Sequence, residues 1–280
     1  MPRFGAHASS AGRLVDCAQR AHELGYECLQ LFARNPRAFR SAPRSDEEYA
    51  EFRSALRRLK LRPAVGHTNY LMNLASPRRE LYDLSVRALT EDLERCAKFG
   101  AQFLVTHTGK HMEDGPEKGI ARIARGVTRA LQQASGEVVL LLENTAGAGT
   151  ELGATWEELG AMLNGIDSDR IGVCLDTCHA HQSLYPLDTA AGVREAIAEF
   201  HRIISLHYLR LIHANDSKPP AGQHLDRHEH IGQGTIGLDG FRALVNHTHL
   251  RKLPFILETP KDSPDADPRN LATLRGLVAA

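Results

Sequence analysis

The chain of 280 residues is 42% hydrophobic and 24% charged, and its 34 Lys and Arg balance 34 Asp and Glu. That is ordinary globular composition, long enough for two small domains or one large α/β barrel. Zero net charge excludes a global cationic field for a polyanion, and the longest aliphatic run, VVLLL at 138–142, is far too short for a membrane span. Five cysteines without paired spacing argue against a disulfide framework and for a reducing compartment. The opening MPRFGAHASS has no apolar core of signal-peptide length, so a cytoplasmic location is expected. Histidine is the outlier, with 15 copies beside one Trp and four Met.

In chain order, RFGAH (3–7) and ECLQLF (27–32) read as strands. The loop after them, ARNPRAFRSAPR (33–44), carries Arg34, Arg37, Arg40 and Arg44 with no acid until Asp46. A helix is predicted over Asp46–Arg58, then a strand AVGH (64–67) and a helix Leu81–Phe99, where Leu81, Leu84, Ala88 and Leu89 keep helical spacing. FLVTH (103–107), a helix Lys118–Ala134, VVLLLEN (138–144) and a helix Trp156–Leu163 continue the alternation. IGVCLD (171–176), a helix Ala190–Ile204, YLRLIH (208–213), a helix Leu238–His247 and PFILET (254–259) complete it. Eight strands alternating with helices and no linker predict one (β/α)₈ barrel domain over 1–280. A doubly wound open sheet is the competitor, disfavoured by the strand count and by the lack of a Gly-rich dinucleotide fingerprint.

The strand ends carry the chemistry. Strand three ends in His67, four in His107, five in Glu143, six in Asp176 with His179 three residues on, seven in His213 and eight in Glu258. A parallel barrel gathers all carboxyl ends of its strands at one mouth. Any one such histidine is more readily a hydrogen-bonded or solvent-facing residue, but six successive strand ends predict a polynuclear metal site suited to zinc or manganese. After strand seven, QHLDRHEHIGQGTIG (223–237) puts Asp226, His228 and His230 on one parity and Arg227 and Glu229 on the other. Alone, that stretch fits a metal site, an acid–base pair or a charged, wet loop. Cys174 and Cys178 share a parity with Asp176, but CxxxC is not a usual zinc knuckle, and both are read as small buried residues.

FGAH, HTNYLMNLASP, LENTAGAGTELG, RIGVCLDTCHA, NDSK, DRHEHIGQGTIGL and ILETPK together resemble the endonuclease IV family of apurinic/apyrimidinic endonucleases, from about residue 4 to 262. The resemblance implies a TIM barrel, a zinc-dependent deoxyribonuclease IV with three zinc ions per chain and manganese as an alternative at one position. One zinc would take His67, His107 and Glu143, with Glu143 bridging to a second held by Asp176, His213 and Glu258. The third would take His179, Asp226 and His228. His7, His111 and His230 match family motifs without being ligands and are expected to hold ligands in place. Thr108 and Lys110 in HTGKH, Ala148 in AGAG and Phe39 in the arginine loop depart from the family's wording without removing a ligand.

The resemblance further implies a monomeric DNA repair enzyme cutting duplex DNA on the 5′ side of abasic sites. The products would be a 3′-hydroxyl and a 5′-deoxyribose phosphate, and 3′-blocking groups would also be removed. Glu143 and Glu258 are the catalytic candidates, serving a zinc-activated hydroxide, with Glu258 orienting it. Four ligand carboxylates would repel a phosphate without divalent ions, so metal is expected to serve binding as well as catalysis. Arg37, Tyr70 and Leu71 match family positions that enter the minor groove. The rivals are a metal-dependent sugar isomerase or epimerase on the same barrel, and a non-catalytic damage-sensing module.

Overall fold

A computed structural model describes residues 1–279. Eight parallel strands close into a barrel: β1 (Arg3–His7), β2 (Cys28–Phe32), β3 (Ala64–His67), β4 (Phe103–His107), β5 (Val139–Glu143), β6 (Ile171–Asp176), β7 (Leu209–His213) and, last, β10 (Pro254–Leu257). Neighbours run in sequence order, and β10 closes the ring between β7 and β1. The outer layer is α1 (Leu14–Glu23), α2 (Asp46–Arg58), α3 (Arg79–Phe99), α4 (Pro116–Gln133), α5 (Trp156–Asn164), α7 (Ala190–Ile203), α8 (Gly237–Asn246) and α9 (Ala266–Leu277), with a short α6 (Thr177–Gln182) just past β6. Between β7 and α8, β8 (Asp216–Ser217) and β9 (His228–Glu229) pair antiparallel. Among the described residues no helix is long and apolar enough to cross a membrane.

The eight predicted strands are the eight barrel strands, and the six predicted helices recur within two residues at each end. α2, α5 and α7 begin where Ser45, Thr155 and Thr189 accept a bond from the backbone N–H three residues on. α1 and α9 lack any side-chain cap, which removes the usual start signal.

Alternation decides what fills the barrel. Cys28, Val65, Val105, Leu141, Cys174, Leu211 and Ile256, one per strand, pack into an apolar plug separate from the larger core between strands and helices. β1 contributes Gly5 at this level, where a Cβ would sit 1.8 Å from the Cys28 carbonyl oxygen. Two residues further along each strand, on the same face and one layer nearer the carboxyl ends, lie His7, Gln30, His67, His107, Glu143, Asp176, His213 and Glu258. The plug is apolar and the layer above it is polar on all eight strands.

Candidate metal centre

Strand register brings this polar layer into contact. His107 pairs with Glu143 across β4 and β5, and Asp176 with His213 across β6 and β7. His67 Nε2 and His107 Nε2 both stand 3.2 Å from Glu143 Oε2. The other oxygen, Oε1, lies 3.0 Å from His213 Nδ1, which also faces Glu258 Oε2 at 3.4 Å and Asp176 Oδ2 at 3.9 Å. His179 Nε2 and His228 Nε2 each approach Asp226 Oδ1 to 3.3 Å. The ligand-type atoms therefore gather into three groups, each within 4.8 Å: His67–His107–Glu143, Glu143–Asp176–His213–Glu258, and His179–Asp226–His228. A fourth grouping, Asp176–Cys178–His228, includes the thiol read from sequence as a buried apolar residue; Cys178 is fully buried, and burial pushes its pKa up.

The remaining ring nitrogens fix the imidazoles. His67 Nδ1 donates to the Thr68 carbonyl at 2.8 Å, His179 Nδ1 to that of Asn144 at 2.9 Å and His228 Nδ1 to that of Glu258 at 3.0 Å. Each leaves Nε2 as the lone pair turned toward carboxylates, the arrangement in which a histidine binds metal. Asp176 is held by the His179 backbone N–H on Oδ1 at 2.8 Å, where it caps α6, and by the Asn215 amide on Oδ2 at 2.6 Å.

The electrostatics suit divalent cations. Glu143 and Asp176 are fully buried, and among the described residues no Lys or Arg pairs with Glu143, Asp176, Asp226 or Glu258. Burial works against ionising Glu143, yet His213 and His107 hold its carboxyl well below the usual range. Burial likewise resists charging His179, and Asp176 and Asp226 overcome it, so its pKa rises well above the ordinary value. His228 Nε2 is buried between Asp226 and Asp176, at 3.3 and 3.8 Å, and forms a proper hydrogen bond with neither. Carboxylates packed around imidazoles, with no Lys or Arg paired to them among the described residues, are a donor set suited to divalent cations. Nitrogen and oxygen donors in sets of three and four suit zinc.

The rim carries the expected DNA-contacting side chains. Arg37 is exposed, and Tyr70 and Leu71 are 63% and 43% exposed. Two loops are stitched together here, Tyr70 N–H donating to the Pro36 carbonyl at 3.2 Å and the Asn69 amide to that of Ala38 at 2.9 Å. The Tyr70 ring sits 6.3 Å from His67 and 6.1 Å from His107, so the exposed aromatic borders the first ligand set. Arg34 departs from the basic-loop reading. It is buried, bonds Asp92 at 2.7 Å through Nε and the Ala88 carbonyl through Nη2, and anchors the loop. Arg44 is likewise occupied by Glu48 and the carbonyls of Ser10 and Gly12. The cations left facing outward are Arg37 and Arg40.

His7 lies where it would hold a ligand, its Nδ1 3.2 Å from Glu258 Oε1. His230 turns outward to Asp262 at 3.0 Å, and Asn270 links it to Thr259, the residue after Glu258. His111 bonds through its backbone to Thr150, and among the described residues no hydrogen bond or ion pair joins it to a ligand candidate. Gln30 was not among the residues singled out from sequence. Its signal was positional, two residues past Cys28 in the inward face of β2, and an amide carries no ligand chemistry to draw notice. The family departures take up contacts of their own: Thr108, next to His107, bonds the Leu152 carbonyl, Lys110 pairs with Glu151 at 3.1 Å, Ala148 donates its N–H to Glu151, and Phe39 packs against the core.

A family model described as "Xylose isomerase-like TIM barrel" matches residues 18–277. A curated relative from Chloroflexus aurantiacus named "Probable endonuclease 4" is 42% identical over 281 aligned residues, covering 99% of both chains. The crystal structure of endonuclease IV from Thermus thermophilus superposes with a TM-score of 0.88 at 36% identity, over 99% of this chain and 98% of that one. A D-tagatose 3-epimerase-like protein superposes with a TM-score of 0.72 at 18% identity, a likeness of fold alone.

Proposed function

The chain belongs to the endonuclease IV group within the xylose isomerase-like TIM-barrel family, and from that premise we propose a DNA repair endonuclease that hydrolyses the phosphodiester 5′ to abasic sites in duplex DNA. The products would be a 3′-hydroxyl and a 5′-deoxyribose phosphate, and 3′-blocking groups would leave through the same site. The observation that supports this reading is the division of the mouth into three ligand sets, two of which share Glu143. Three zinc ions per chain fit the sets, with manganese as an alternative at one, and the protein would act as a monomer.

Bound zinc would neutralise the carboxylates and bring a water pKa toward neutrality. The chain's own groups then divide the work. Glu143 offers one oxygen to the His67–His107 side and the other to the His213 side, which sets the spacing of the two halves. Glu258, held by His7 and facing His213, would orient the attacking water. His179, Asp226 and His228 would hold a third cation, which would supply the charge that steadies a departing 3′ oxygen in place of a general acid.

Arg37, Tyr70 and Leu71 would enter the duplex at the lesion. Opening a base step costs a few kcal/mol and least where pairing is already lost, which selects abasic sites without reading sequence. Arg37→Ala or Tyr70→Ala is expected to weaken binding of an abasic duplex by about 1–2 kcal/mol, roughly 5–30-fold, with metal content unchanged. Affinity measured by fluorescence anisotropy and unchanged in both variants would remove the wedge.

The test of the whole reading is zinc-loaded protein incubated with a duplex bearing one abasic site. Scission on the 5′ side of the lesion, lost on prior chelation together with most binding to uncut duplex, is the expected result. Protein carrying three metals per chain that leaves the duplex intact would overturn the nuclease reading. A content of one or two metals with turnover of a ketose would favour a sugar epimerase.

A further inference from the structure

Gln30 occupies the β2 position of the polar layer, fully buried, and touches three members of the site. Its Nε2 donates to Glu258 Oε1 at 2.6 Å and lies 3.0 Å from His7 Nδ1; its Oε1 lies 2.9 Å from His213 Nε2. A side-chain amide has one donor end and one acceptor end. The carboxylate of Glu258 accepts only, so it takes the NH₂ end and leaves Oε1 for His213. An oxygen there accepts a proton and supplies none. As a neutral, ligating imidazole, His213 must then carry its proton on Nε2, which leaves Nδ1 bare toward Glu143, Asp176 and Glu258.

Accordingly, we propose that Gln30 is a positioning residue for the second ligand set: one amide fixes the His213 tautomer and the Glu258 rotamer together. The proposal rests on the metal-centre reading above. It also accounts for a difference among the imidazoles. His67, His179 and His228 donate to backbone carbonyls and turn Nε2 inward, whereas His213 turns Nδ1 inward and needs an acceptor on its far side. β2 is the strand that supplies it, because the plug residue below, Cys28, fixes the parity that sends Gln30 inward.

Partners that orient a ligand histidine or carboxylate are worth roughly 10–100-fold in metal affinity when lost. Gln30→Met keeps the side-chain length and removes both hydrogen-bonding ends. Titrated with zinc against a chromogenic chelator, the variant is expected to bind one equivalent of zinc roughly 10–100-fold more weakly than wild type, with the other equivalents unchanged. An unchanged affinity for every equivalent, in a variant whose circular dichroism matches wild type, would overturn the proposal. A second measurement needs no variant. Nitrogen-15 NMR of the zinc-loaded wild type should show a His213 imidazole protonated at Nε2, and a proton on Nδ1 would refute the assignment even if Gln30→Met failed to fold. Wild type that binds no zinc would instead fail the metal-centre reading itself.

Discussion

Glu143→Gln is expected to reduce abasic-site incision about 10³-fold or more while leaving the barrel folded. Glu143 faces two ligand sets at once, His67 and His107 through Oε2 and His213 through Oε1. An amide in its place keeps one oxygen acceptor and turns an NH₂ toward the other set, so one of the two shared positions is lost. It also deletes a buried negative charge from between three imidazoles, which weakens both sites for divalent cations. Losing the stabilisation one correctly placed cation gives, several kcal/mol, corresponds to three or more powers of ten at 1.36 kcal/mol each. Glu143→Asp keeps the charge but withdraws it by one methylene, too far to serve both sides, and should fall nearly as low. Zinc content and incision rate measured on the same preparation check this. Glu143→Gln with three zinc ions and a rate within tenfold of wild type would show that Glu143 does not bridge.

Much of this arrangement is legible in the sequence. His67, His107, Glu143, Asp176 and His213 each end a strand that a short apolar run announces, and period-two alternation forces them to the same side as the plug beneath. What alternation cannot supply is contact between distant segments. Arg34 reads as one more cation in a basic loop until Asp92, on α3, is seen beneath it. A buried charge of this kind is worth most when paired, and the pairing partner lies 58 residues away. Gln30 stayed hidden for a different reason: its role is to orient other groups, so its residue type advertises nothing. Parity puts Asp226, His228 and His230 on one face; the structure brings Asp226 and His228 together beside His179. The chain is extended only over His228–Glu229, and beyond it His230 swings to Asp262 and Asn270.

Asp216→Asn should lower stability and remove one metal, and the reason lies in how the third ligand set is built. Asp226 and His228 sit on a loop, not on the barrel, so something must hold that loop still. Asp216 is fully buried and accepts five backbone N–H groups: Ser217, Ile236 and Gly237 on Oδ1 at 2.8, 3.0 and 3.4 Å, Gly232 and Gly234 on Oδ2 at 2.8 and 3.1 Å. It thereby ties β8 to the turn that follows β9, and Ser217 pairs directly with His228 in that ladder. Gly234 permits the approach, since a Cβ there would lie 2.6 Å from Asp216 Oδ1. An amide would set an NH₂ against two or three of these N–H donors and strand them in a dry interior. Hydrogen bonds to a charged group contribute about 1.5–3 kcal/mol each, so losing two should cost at least ~3 kcal/mol. That corresponds to a melting temperature lower by roughly 5 °C or more for a chain of this size. With the hairpin loosened, His228 and Asp226 no longer converge on His179, and zinc content should fall by one equivalent while the His67–His107–Glu143 set stays filled. A variant that melts with wild type and keeps its full zinc content would mean that the loop is held by its other bonds, such as the Lys218 N–H to the Arg227 carbonyl at 2.9 Å, and that Asp216 is dispensable to the third site.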